Sequence, residues 1–415
     1  MAPPRTRSSS AASPDNGKSP SPPSDLGPVL VVGGCGFLGY HLVAHLLADP
    51  EFSKPVYVLD WHVEGNENRH AGDGVTYIEG TMTDAALVTS VLSRTRPRVV
   101  FHAASPVASL PRARWAELEA TNVVGTRTLL AAAAATPGSS VKALVYTSSP
   151  DIYANPPHHD VSETHPLVPD EQRRRRDDGS SSVSEYARTK AAAQRLVLAA
   201  NNSASRLRTC ALLPAHMYGE RSTQGLHEIL SLCAGHDGRP TGTPLIQLGA
   251  GTNLVSVASA ANVARAHLLA AKALLDPPRA RGAVAGESFN VTDGRPVAFW
   301  NEHLRAAWKE ARGIEDDSVL FKSVIVVPGW VYRLIARVVW MLFWILTLGM
   351  VSPPTAVSKQ GVLYSLGEHT YSVDKLRDRL GYEPVRDHDR VMRQAVRWEL
   401  DRRRQQQKGG TRKIE

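Results

Sequence analysis

The first strongly apolar run, Val29-Leu30-Val31-Val32, ends abruptly in Gly33-Gly34-Cys35-Gly36-Phe37-Leu38-Gly39, and apolar residues then recur at Leu42, Val43, Leu46 and Leu47. A short run followed by apolar spacings of three and four predicts a buried strand, a tight turn and a helix. Val56-Tyr57-Val58-Leu59, closed by Asp60, predicts the next strand, and Thr76-Tyr77-Ile78, Val99-Val100-Phe101 and Leu144-Val145-Tyr146 predict three more. Helix-length stretches at 85–94, 115–135 and 187–200 lie between or after them. Strands alternating with helices of this length mean βαβ units and a parallel sheet buried on both faces. The expected fold is α/β and doubly wound. A dinucleotide-binding domain is expected over 29–292, interrupted by a substrate-side excursion at 213–254. A smaller C-terminal substrate part follows over 293–398.

Three stretches depart from this pattern. Residues 1–28 are rich in Ser, Pro and Ala with no apolar run, which predicts a disordered tail rather than a secretory signal. Residues 170–184 hold Arg173 to Arg176, then Asp177-Asp178 and a Ser run, as in a solvated insertion. The third is the apolar segment 324–351, whose uncharged part runs for fourteen residues from Val338 to Val351. A comfortable membrane span needs about 20 residues. The segment therefore fits an interfacial or re-entrant helix on a membrane, or an internal lid helix. Trp330, Tyr332, Trp340 and Trp344 supply aromatics suited to a headgroup layer.

Composition narrows the classes. With 415 residues, 42% hydrophobic and 21% charged, the chain is neither wholly disordered nor collagen-like. Cys35, Cys210 and Cys233 are far apart, which excludes a disulfide framework and a cysteine zinc site and points to a reducing compartment. The net charge of +8 is unevenly placed. Within an expected basic tail at 399–415, residues 402–415 set Arg402, Arg403, Arg404, Lys408, Arg412 and Lys413 against Glu415 alone, and Lys322, Arg333, Arg337 and Lys359 have no acid between 319 and 367. The remainder is near neutral. A basic excess flanking an apolar segment points to an anionic membrane face and away from nucleic acid.

The chemistry starts at the glycine loop. Gly33, Gly36 and Gly39, with Gly34, satisfy a glycine-rich turn between a strand and a helix, where the backbone approaches a pyrophosphate and the helix start presents free N–H groups. That makes the sheet Rossmann-type. Asp60 lies 21 residues after Gly39, at a strand end where a carboxylate meets a ribose 2′-hydroxyl and repels a 2′-phosphate. NAD is expected, with NADP tolerated through His62. Tyr186-Ala187-Arg188-Thr189-Lys190 places a phenol and an ammonium on one helix face. A free tyrosine titrates near pH ~10. An ammonium about 4 Å away contributes about 4 kcal/mol at an effective dielectric near 20, enough to bring the phenol toward neutrality. Tyr186 then exchanges a hydroxyl proton while hydride moves to or from nicotinamide. Ser148-Ser149 follow the Leu144 to Tyr146 strand, where a serine can bind the substrate oxygen.

In this order the glycine loop, acid, serine and Y-x-x-x-K resemble the extended short-chain dehydrogenase/reductase family, and more narrowly its 3β-hydroxysteroid dehydrogenase group, in the branch acting on 4α-carboxylated sterols. Further matches are Phe101-His102-Ala103-Ala104-Ser105-Pro106, Asn122-Val123-Val124-Gly125-Thr126, Asn262 to Ala271, Gly286 to Thr292 and Leu380-Gly381-Tyr382. The resemblance implies that Gly33, Gly36, Phe37, Leu38 and Gly39 hold the pyrophosphate and Asp60 the adenosine ribose. It implies that Ala103, Ala104 and Ser105 line the cofactor and that Pro214 lies by its carboxamide. Ser149 orients the substrate oxygen, with Ser148 as a helper. Tyr186 is the base, and Lys190 binds the nicotinamide ribose and tunes Tyr186.

The implied reaction oxidises the 3β-hydroxyl of a sterol 4α-carboxylate with loss of CO2, on the cytoplasmic face of the endoplasmic reticulum. A homodimer or a sterol-demethylation complex is the implied assembly. The rivals are a dehydrogenase of another steroid, triterpenoid or polyketide alcohol, and a cofactor-sensing protein without catalysis. Three positions depart from the family pattern: Thr81 and Ser256 where it has Asp, and Leu213 where it has Arg. His158, His159, Asp160, Glu163 and His165 lie in a Pro-rich loop and are expected to hold no metal. Cys35 is expected to be filler.

Overall fold

The computed structural model describes residues 25–411, except 54, 107–114, 136–139, 170–182, 202–205, 223–224, 232–233, 236–237, 242–243, 278–279 and 349–356. The tail at 1–24, the arginine run of the insertion, Cys233, the end of the apolar run and residues 412–415 lie outside the described residues.

Seven parallel strands form the main sheet, in the order Ser288–Val291, Arg208–Pro214, Ala143–Thr147, Val99–His102, Val29–Val32, Val56–Asp60, Val75–Glu79. Strands 29–32, 99–102 and 143–147 are buried at every position, so helices cover both faces. The strand order reverses beside Val29–Val32, where chain crossovers pass to opposite sides and a crevice opens. One face is packed by the helices Phe37–Ala48 and Ala260–Leu275, and the other by Ala85–Thr95, Thr126–Ala135 and Glu185–Ala199.

After strand 208–214 the chain leaves this sheet and returns to it at Ser288–Val291. The excursion and the C-terminal segments share a second apolar core of Tyr218, Leu230, Leu245, Trp300, Trp308 and Val396, among others. A four-stranded sheet ties the halves together, with strands from His158–Val161, Leu254–Val255, Val297–Ala298 and His369–Tyr371.

Three expected boundaries are corrected. Order begins before residue 29: Leu26 is 1% exposed, and Arg98 donates to the carbonyl of Asp25 at 2.6 Å. The apolar segment is not one element. Val324–Val327 is a strand paired with Leu245–Leu248, and a helix then runs over Gly329–Thr347, taking in Arg333 and Arg337. At about 1.5 Å per residue its 19 residues approach the thickness of a bilayer core. Among the described residues it is the one helix long and apolar enough to cross a membrane, and of its residues only Tyr332 and Ala336 are buried.

The basic tail does not start at 399, because residue 399 lies inside the helix His388–Thr411. Glu399 is fully buried, pairs with Arg402 at 2.7 Å and Arg403 at 2.9 Å, and accepts from His227 at 2.6 Å. Arg403 is 4% exposed and also donates to the carbonyl of Ala234. These two arginines neutralise a buried carboxylate and are not available as a free basic surface.

Candidate active site

The glycine turn is built by steric exclusion. Gly33 has a φ of +84°, and a Cβ there would sit 2.6 Å from the backbone of Ala104. At Gly39 a Cβ would sit 2.1 Å from the carbonyl of Gly33. Gly36 differs: it is exposed, and a Cβ would meet only that carbonyl, at 3.3 Å. Two glycines therefore close the turn against the next strand and the helix, while Gly36 leaves open ground. Gly36 is also the N-cap of Phe37–Ala48 and gives it no side-chain cap, so the first N–H groups, at Phe37 and Leu38, lack a side-chain acceptor. Positive helix end and open backbone together fit a pyrophosphate.

Asp60 accepts the Cys35 N–H at 2.9 Å on one oxygen and the His62 N–H at 3.3 Å on the other. Burial raises its carboxyl against these bonds. It thereby clamps the glycine turn, and each oxygen keeps a lone pair for a ribose hydroxyl. Ala103 and Ala104 back the turn from strand 99–102, and Pro214 ends strand 208–214 beside Val291. The Cys35 thiol is pushed up to about 12 by burial and by Asp60, which leaves it inert.

The reactive group forms where strand Ala143–Thr147 ends. Ser148 is buried, with its hydroxyl unpartnered among the described residues, whereas the Ser149 hydroxyl meets the phenol of Tyr186. Ser105 reaches the same phenol from strand 99–102. Tyr186 stands in the first turn of Glu185–Ala199, a helix capped by Ser184. One turn on, Lys190 is 2% exposed and donates to the Thr147 carbonyl at 2.8 Å. Its Nζ lies 5.9 Å from the Tyr186 ring centroid. Burial brings Lys190 down to about 7.

The expected lowering of Tyr186 by Lys190 is not what this geometry gives. Burial and then the charge of Asp151 push the phenol above its ordinary value, and the hydroxyls of Ser149 and Ser105 pull it partly back. Lys190 spends its contact on Thr147 instead.

Behind the pair, a π-helical turn at Glu119–Gly125 directs the Asn122 amide to Thr189 Oγ1 at 3.0 Å. The departures have local explanations. Leu213 is 1% exposed in the main core, Ser256 accepts the Tyr371 N–H at 3.1 Å, and Thr81 bonds Thr83 at the surface. Of the His-rich loop, Glu163 accepts the Asn290 N–H at 2.7 Å and His159 pairs with Glu368 at 2.8 Å, so these side chains are held by structural partners.

The substrate side holds residues that sequence reasoning missed. Asp151 lies in the turn Pro150–Ile152, exposed between two buried neighbours. Tyr364, on the helix Lys359–Leu366, bonds His216 Nδ1 at 2.6 Å across the cleft. Burial lowers His216 to about 4, so it is neutral. Only the adjacency of Asp151 to Ser149 was visible in advance; Tyr364 and His216 come from distant segments with no motif around them.

Comparison with known proteins bears on this site. The profile of the 3-beta hydroxysteroid dehydrogenase/isomerase family matches residues 30–323. The decarboxylating sterol-4-alpha-carboxylate 3-dehydrogenase of Saccharomyces cerevisiae is 29% identical, covering 76% of this chain and 85% of the yeast protein. That of Candida albicans is 28% identical over 89% of this chain and 97% of its own length. The mouse enzyme of the same description is 26% identical over 88% of this chain and 89% of its own. Among solved structures, the UDP-glucose 4-epimerase of Thermotoga maritima superimposes with a TM-score of 0.63 at 19% identity, over 90% of this chain and 99% of that one. The dTDP-glucose 4,6-dehydratase DesIV of Streptomyces venezuelae, solved with NAD, gives 0.62 at 21% identity, over 90% and 97%. At such identities these structures establish the fold alone.

Proposed function

The chain belongs to the 3-beta hydroxysteroid dehydrogenase/isomerase family, and from that premise we propose that it oxidises the 3β-hydroxyl of a sterol 4α-carboxylate, with loss of CO2. It is an NAD(P)-dependent oxidoreductase. In this reading Gly33, Gly36, Phe37, Leu38 and Gly39 hold the pyrophosphate, Asp60 the adenosine ribose, and Ala103, Ala104, Ser105 and Pro214 line the rest of the cofactor. Asp60 favours NAD. Bound there, NAD would supply the hydride acceptor. Ser149 holds the substrate oxygen, and Tyr186 takes the hydroxyl proton as the alcohol becomes a ketone. Lys190 binds the nicotinamide ribose from its anchor on Thr147. The product is a β-keto acid, whose carboxylate leaves as CO2 because the new ketone takes up the electron pair.

The observation that carries this reading is the convergence of the Ser149 and Ser105 hydroxyls on the Tyr186 phenol, beside the glycine turn. The reading extends to location. The exposed apolar helix Gly329–Thr347, with Arg333 and Arg337, supports contact with an anionic membrane, and the relatives' sterol chemistry is consistent with the cytoplasmic face of the endoplasmic reticulum. Assembly with a second copy or with other sterol C4-demethylation enzymes belongs to the same reading. Replacing Tyr186 with Phe tests the chemistry: NADH formation from a sterol 4α-carboxylate should fall on the order of a thousandfold. Turnover near wild type in that variant would reject it.

A further inference from the structure

One charged group near Tyr186 raises the phenol but exchanges no proton or hydride in the oxidation. The Asp151 N–H donates to Ser149 Oγ at 3.3 Å, which fixes the turn directly after the serine and leaves residue 151 outside the core. Its charge acts on Tyr186, Tyr364 and Tyr371, which arrive on two helices and a strand from different parts of the chain. Asp151 therefore stands beside Ser149, within electrostatic reach of all three tyrosines. Burial raises its own carboxyl and the Ser149 hydroxyl pulls it partly back, and among the described residues no cation acts on it. A carboxylate beside a reactive hydroxyl cluster has a consequence for any substrate bound there. Because the Asp151 N–H is bonded to Ser149 Oγ, a substrate oxygen held on Ser149 would bring the carbon next to the carbinol to the Asp151 side of the site.

We propose that Asp151 decides the fate of the substituent on that carbon: it sets a negative charge against the substrate carboxylate and drives its departure as CO2. The inference rests on the sterol-acid reading above. Once hydride has left and Tyr186 holds the hydroxyl proton, the bond between the ring carbon and the carboxylate breaks. Its electron pair moves into the ketone, giving an enolate on the oxygen held by Ser149, and CO2 leaves uncharged. Tyr186 returns its proton to the enolate, which then becomes the ketone. No external acid, base or further oxidant is consumed. Asp151 exchanges no atom; the like-charge contact present before the bond breaks vanishes once CO2 has formed. Two unit charges about 5 Å apart in a cleft of intermediate dielectric correspond to an effect on the order of a hundredfold.

The test measures NADH and CO2 separately, using full-length protein with a sterol 4α-carboxylate labelled at the carboxyl, and with the matching 3β-alcohol lacking it. Wild type should release CO2 and NADH at equal rates. Asp151→Asn and Asp151→Ser should release CO2 more slowly than NADH, so that the β-keto acid accumulates and is trapped by borohydride. Relative to the plain alcohol, KM for the acid should fall at least ~10-fold, toward the hundredfold limit of the charge contact. Equal CO2 and NADH rates in both variants, or a raised KM for the acid, overturn the proposal for Asp151 alone. If wild type makes no NADH from the acid but oxidises the plain alcohol, the substrate reading falls, and this inference falls with it.

Discussion

The helices Ala260–Leu275 and Gly329–Thr347 are of similar length and both apolar, yet they sit in opposite surroundings. The first has twelve of its sixteen residues buried between the main sheet and the helix Phe37–Ala48; the second has two buried residues in nineteen. The buried helix is the less apolar of the two by composition. What separates them is side-chain size. Ala260, Ala264, Ala266, Ala270, Ala271 and Ala273 let 260–275 approach the sheet closely, whereas Trp330, Leu334, Ile335, Leu342, Trp344 and Ile345 project outward. Small residues mark the helix that fills a core, and large exposed ones mark the helix that stays outside it among the described residues.

The same chemical insult should therefore break one helix and spare the other. Ala264→Asp buries an unpaired carboxylate at a fully buried site and should cost more than about 4 kcal/mol, abolishing cooperative melting. Leu342→Asp with Ile345→Asp should leave Tm within a few degrees, because both positions are already exposed. Binding of the doubly substituted protein to anionic vesicles should fall at least ~10-fold, since buried apolar area and bilayer affinity go together. Unfolding of that variant would show that the outer helix packs on its own chain.

A smaller effect comes from charge. Arg333→Gln and Arg337→Gln should each weaken vesicle binding by about 1 kcal/mol in low salt, and the difference should vanish in high salt. The smallest belongs to the rim of the inner helix. Lys272 bridges Asp49 at 2.9 Å and Glu51 at 3.3 Å, and these partners raise its ammonium above the ordinary lysine value against the opposing effect of burial. Lys272→Ala should cost less than about 1 kcal/mol in urea denaturation. A raised lysine stabilises below its ordinary titration range and loses that contribution as pH climbs through the folded value. The variant and wild type should therefore converge in strongly alkaline buffer.

The contrast also explains which parts of the molecule were legible in the sequence. Strand 29–32, the turn at Gly33 to Gly39, Asp60 and the Tyr186/Lys190 pair are local signals, since each depends on residues a turn or a strand apart. The outer helix was misjudged because Arg333 and Arg337 interrupt the apolar run on paper. Four residues apart, they share one exposed face, and the helix continues through them. Arg402 and Arg403 looked like free basic charge because Glu399 and His227 become their partners only through folding. The role of Lys190 was misjudged for the same reason: the sequence gives its spacing from Tyr186, but not the Thr147 carbonyl that holds it. Asp151, Tyr364 and His216 meet only in the cleft, so no window of sequence contains them together.

The outermost strand of the main sheet, Ser288–Val291, pairs with Arg208–Pro214 but is made only after the chain has built the intervening excursion. During synthesis the backbone of 208–214 therefore emerges without its neighbour. At about 5–20 residues per second, that edge stays open for several seconds. A bare, largely apolar edge strand is a template for pairing with another chain. The interval of translation between residues 214 and 288 is thus the window in which a nascent copy of this protein is most exposed to mispairing, and slowing the ribosome there should lower the yield of soluble enzyme without changing a single residue.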